Sequence, residues 1–124
     1  MSDARDRKPR TGRVTWETVR QLAIALPGAE EGTSYGTAAF RVRGKLFARL
    51  HQSGESVVVM IDPDERAMRM RADPEAFYIT DHYVRYPMML VRFSAVRRED
   101  LCDLLEESWR LSAPARLVAD YDDA

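Results

Sequence analysis

With 124 residues, 45% hydrophobic and 31% charged, the chain has the composition of one soluble domain; it is too apolar to be disordered and too short for two cores. Nineteen Lys and Arg against twenty Asp and Glu leave a net charge of −1, which excludes the globally basic character of a protein built to coat polyanions. The single cysteine, Cys102, excludes an intrachain disulfide, and no apolar run approaches the ~20 residues of a membrane span, so the expected setting is cytoplasmic, away from membranes.

In chain order, residues 1–13 carry Arg5, Arg7, Lys8, Arg10 and Arg13 against Asp3 and Asp6 and are expected as a flexible basic tail. The domain is expected over 14–120, with a short acidic tail at 121–124. Thr15 is placed to cap a first helix, with Val14 and Val19 as a hydrophobic staple and Val19, Leu22, Ala23 and Leu26 as its apolar stripe. Pro27-Gly28 ends it. Ala29 to Thr37 is polar and reads as a loop or short edge strand.

Phe40 to Leu50, FRVRGKLFARL, reads as a β-hairpin turning at Arg43-Gly44. Strict alternation would send Phe40, Val42, Leu46, Ala48 and Leu50 to a core. It would set Arg41, Arg43, Lys45 and Arg49 on the other face, with Phe47 among them. Ser56 to Ile61 is an unbroken apolar run after its serine, fit for a central strand buried on both faces. Asp62-Pro63-Asp64-Glu65 then supplies a capping carboxylate, a proline at N1 and early negative charge for a second helix.

Asp73-Pro74-Glu75 reads as a single helical turn, Phe77 to Thr80 as a short strand, Asp81 to Pro87 as a polar-aromatic connection and Met88 to Phe93 as the last strand. A long helix follows, with Leu101, Leu104, Leu105 and Trp109 on one face, Cys102 expected as a small buried hydrophobe beside them, and a poorly signalled start. Pro114 breaks it before a terminal helix, Ala115 to Asp120. Short connections imply a mainly antiparallel sheet with helices on one face, a two-layer α+β domain.

Leu26-Pro27-Gly28, Glu31-Gly32-Thr33-Ser34-Tyr35-Gly36, Phe40 to Ala48, Asp73-Pro74, Asp81-His82-Tyr83 with Tyr86-Pro87, and Trp109 with Ala113-Pro114 occur in the order seen in the MmcQ/YjbR family. The chain resembles that family over about residues 15–120, with Ala38 where a proline is usual. The resemblance implies a CyaY-like fold with a curved antiparallel sheet, a non-enzymatic role with no catalytic residues to carry over, and DNA binding through paired hairpin wings.

Three functional readings follow. Arg41, Arg43, Lys45 and Arg49, joined by Arg85, are candidates to contact the phosphates of DNA. Lys45, Asp81, His82, Tyr83 and Tyr86 are candidates for a small-ligand or enzyme site, in which a histidine takes a proton while Lys45 holds an anionic group. A bare sheet face or strand edge is a candidate surface for a protein partner or a second copy of the chain. No cofactor or metal is expected. The two histidines, His51 and His82, are far apart in sequence, and there is no phosphate-cradling glycine loop and no nucleophile elbow.

Overall fold

A computed structural model describes residues 13–124, so all of the expected basic tail except Arg13 lies outside the described residues. The elements run α1 (Trp16–Ile24), β1 (Ala29–Ser34), β2 (Thr37–Val42), β3 (Lys45–Leu50), β4 (Ser56–Met60), α2 (Pro63–Ala72), β5 (Phe77–Tyr78), a 3-10 turn (Asp81–Tyr83), β6 (Met88–Arg92), α3 (Arg98–Ser112) and α4 (Ala115–Asp123). The six strands form one open antiparallel sheet in the order β1-β2-β3-β4-β6-β5. The α+β expectation holds, and β4 is central, with Ser56 through Val59 buried on both faces.

Two tight turns shape the β1–β3 end. Arg43-Gly44 has φ +50 and +83 between the paired Val42 and Lys45, and Tyr35-Gly36 repeats this with φ +52 and +82 between Ser34 and Thr37. Positive φ at both central residues is the type I′ geometry whose twist matches that of the flanking strands. The segment expected as a loop or short edge strand is therefore a full edge strand ending in a second hairpin.

Strict alternation fails at one residue. Phe40 pairs with Ala48 but Arg41 pairs with Leu46, so Phe47 is an extra residue, a β-bulge. The two-residue turn reverses the parity, setting Lys45 opposite Val42 and Leu46 opposite Arg41, so Phe47 falls on the core side, fully buried against Phe40; the bulge keeps Ala48 on that side with it and returns Arg49 to the open face opposite Ala39. α3 supplies the hydrogen bonds that the bulge disrupts. The buried Ser108 hydroxyl donates to the Phe47 carbonyl (2.6 Å) and accepts from the Met60 amide (2.8 Å), and Ser112 donates to the Leu46 carbonyl (3.0 Å).

The hairpin cations consequently do not share a face. Lys45 pairs with core-facing Val42, and the Arg43 guanidinium lies by Gly28, also on the helix side; only Arg41 and Arg49 remain on the open face.

The helix side is dry. Phe40, Val57, Val59, Met89 and Val91 meet Val19 and Ala23 of α1 and the α3 stripe at Leu101, Leu104, Leu105 and Trp109. The Trp109 indole N–H donates to the Pro27 carbonyl (2.8 Å), tying α3 to the end of α1. Cys102 is exposed rather than buried, because one residue past Leu101 is a 100° turn away from that stripe. α4 continues to Asp123, through the expected acidic tail, with Tyr121 edge-on to Trp109 at 5.0 Å and Asp122 bonded to Arg110.

Candidate functional site on the open sheet face

Across the uncovered face, strand register aligns one row of side chains: Gly32, Ala39, Arg49, Val58, Leu90 and Tyr78. Alternating positions carry the side chains to this face. Ala39 and Val58 flank Arg49 in this row, and the connection between β5 and β6 lies over its Leu90 end. Tyr83 of that connection packs on Val58 and Leu90 in a small second core.

The connection is held from below. Arg66 of α2 donates from Nη1 to the carbonyls of Tyr83 (3.1 Å), Tyr86 (2.8 Å) and Met88 (2.9 Å), so one guanidinium ties the connection to the start of β6.

Between this connection and the β1–β3 hairpins lies a cavity of about 480 Å³. Leu46 and Met88 give it an apolar part, while Tyr35, His51, His82, Tyr83 and Tyr86 turn rings toward it. His82 stands edge-on to Tyr83 at 4.8 Å and lies 5.7 Å from the Tyr86 ring. Among the described residues no carboxylate lines it.

Its one formal charge belongs to Arg49, only 5% exposed. Nη2 donates to the Tyr83 hydroxyl, and the guanidinium carbon sits 5.8 Å from the Tyr35 ring centre. Nη1 is buried with no acceptor among the described residues. His51 at the rim has its pKa lowered, first by burial and then by the charge of Arg49, so it is held neutral near pH 7. The Ser53 amide donates to His51 Nδ1 (3.3 Å), which leaves the neutral ring's proton on Nε2.

The structure thus redistributes the sequence candidates. His82, Tyr83 and Tyr86 do meet at one cavity, but Lys45 and Asp81 do not line it, and Arg49, a candidate for phosphate contact, is its buried charge. Of the other cations, Arg41 donates to the Thr33 carbonyl (2.9 Å), and Arg43, Lys45 and Arg85 are exposed. Tyr35, Leu46, His51 and Met88 were not singled out as ligand-site residues. The available signal was Val58: a strand buried on both faces needs buried neighbours on each, and on this face its neighbour is Arg49. Among the described residues no group of three or more His, Cys, Asp or Glu comes together as a metal site, and no helix is long and apolar enough to cross a membrane.

Fold and site define a class: a small two-layer α+β domain whose open sheet face holds an aromatic cavity around a buried arginine. The YjbR family model matches residues 24–111, a span that includes every residue lining the cavity, and the chain belongs to the YjbR family. Over 122 residues it is 34% identical to uncharacterized protein Rv2570 of Mycobacterium tuberculosis strain H37Rv, covering 84% of this chain and 92% of that one. Uncharacterized protein Mb2600 of Mycobacterium bovis matches with the same figures. In fold it is similar to the crystal structure of Deinococcus radiodurans protein DR2400, which carries a DUF419 domain, with a TM-score of 0.69 and 21% identity over 80% of this chain and 78% of that one.

Proposed function

We propose that this protein binds a small organic anion in the open-face cavity. The observation that carries the reading is Arg49 Nη1, a buried N–H donor without an acceptor among the described residues, in a cavity that no carboxylate lines. An unpaired buried donor on a charged group costs more than an ordinary unsatisfied amide, and native proteins seldom leave one without a role. A ligand oxygen supplies the missing acceptor, and its charge offsets that of the guanidinium. The volume falls within the range of small-molecule sites, and apolar and aromatic walls with a few polar groups are their usual lining.

Among the described residues nothing in the cavity assembles a nucleophile with a base: Tyr83 is committed to Arg49, and neither histidine is hydrogen-bonded to a carboxylate. The reading is therefore of a binding site rather than of a reaction.

A second reading, DNA binding, is favoured by Arg43, Lys45 and Arg85, exposed cations that form no ion pair among the described residues. Its cations lie on both sides of the sheet, which weakens a single phosphate-contacting surface, and it predicts salt-sensitive binding lost in Arg43→Glu with Lys45→Glu.

The test of the first reading is a titration of the ¹⁵N-labelled protein with sodium benzoate, sodium acetate and inorganic phosphate. Saturable shifts confined to the amides of residues 35, 46, 49–52 and 80–88 are expected for at least one anion. Shifts spread over the surface, or none, would overturn it.

A further inference from the structure

Resting on the anion-cavity reading, we infer that the ligand is a monoanionic carboxylate borne on a planar ring, and that Tyr35 is the residue that closes over that ring. The first half follows from the count of charges. Among the described residues one guanidinium lines the cavity and no lysine or second arginine does, so these residues neutralise one negative charge; a phosphate dianion would remain half compensated in a partly desolvated place. Arg49 already gives Nη2 to Tyr83, which leaves Nη1 as the donor to one carboxylate oxygen.

The ring follows from the walls. Five of the lining side chains are aromatic, and rings at offset or edge-on geometry favour a flat partner.

Tyr35 is the residue the fold alone does not explain. It occupies a left-handed turn position, φ +52, where Asn or Gly is less strained, and it is 87% exposed, so its ring gains little from packing. Its ring lies 5.8 Å from the guanidinium carbon of Arg49 at the mouth of the same cavity. A ring this exposed moves at small cost. With a ligand beside Arg49, it has a flat surface to settle on.

The test is isothermal titration of the full chain with benzoate, acetate, benzamide and inorganic phosphate, repeated on Tyr35→Ala and on Tyr35→Phe. Benzoate should bind one to one, with acetate and benzamide each at least about tenfold weaker and phosphate no tighter than acetate. Tyr35→Ala should weaken benzoate by about tenfold and leave acetate unchanged, while Tyr35→Phe keeps benzoate affinity. Because Tyr35 is exposed, neither variant threatens the fold. Phosphate binding tighter than benzoate, or benzoate affinity untouched by Tyr35→Ala, would overturn the inference while leaving an anion site. Equal affinity for benzoate and benzamide, or no saturable binding by any of the four, would overturn both.

Discussion

The two faces of the sheet treat polar groups in opposite ways. On the helix side, the Ser108 and Ser112 hydroxyls bridge to strand backbone and the Trp109 indole reaches the Pro27 carbonyl, so the polar atoms that enter the core find partners there. On the open side, a more polar group is buried and one of its donors is left over. A fold that solves the harder problem at the bulge has no physical need to leave Arg49 half satisfied. The difference separates the face that makes the domain stable from the face on which the proposed ligand site lies.

The contrast breaks most visibly at Phe47. With its ring in the core, Phe47→Ala should cost about 3–5 kcal/mol in chemical denaturation, whereas Lys45→Ala, two residues away and exposed, should stay within about 0.5 kcal/mol. Similar small costs at both would put Phe47 outside the core. Ser108→Ala should come next, at about 2–3 kcal/mol, because it strands the Met60 amide and the Phe47 carbonyl together in the core.

Arg49→Met should move stability by less than about 1 kcal/mol in either direction, since it removes a hydrogen bond and an unsatisfied buried charge at once. A loss as large as that of Ser108→Ala would make Arg49 a structural residue and bring the two faces level.

The smallest effect is expected at the α3–α4 contact. Arg110 forms a paired hydrogen bond with Asp122 and holds its carboxyl below the ordinary carboxylate range. A depressed folded-state pKa gives stability that is present above the unfolded value near pH 4 and is lost as pH falls through the lower folded value. Thermal melts of the wild type and Asp122→Asn should therefore differ slightly at pH 7 and converge as pH falls below about 4; a gap that widens toward acid would contradict the pairing.

Much of the architecture is legible in local chemistry. Asp62-Pro63 marks the start of α2, Arg43-Gly44 marks a type I′ turn, and the valine run at 57–59 marks a strand covered on both faces, since each signal acts within a few residues. The bulge is not legible this way. Its orphaned carbonyl is satisfied by Ser108, 61 residues further on, and alternation carried unchanged across the two-residue turn, which reverses the parity between β2 and β3, misplaces Phe47 and gathers four cations on one face.

The site is half legible for the same reason. His82, Tyr83 and Tyr86 are neighbours in sequence and are recognisable as a cluster, whereas Tyr35 and Arg49 join them only through strand register and a second hairpin. Arg49 in particular belongs by composition with its exposed neighbours, and only its pairing opposite Val58 reveals that it is buried.

The most direct measurement compares benzoate binding by calorimetry in the wild-type protein and in Arg49→Met, with Arg49→Lys as a variant that keeps the charge. The account predicts one-to-one binding by the wild type, partial retention in Arg49→Lys, and at least about a tenfold loss in Arg49→Met with unchanged circular dichroism and a stability change below about 1 kcal/mol. Equal affinity in the wild type and Arg49→Met would contradict it, and would return the open face to the bare surface of a sheet.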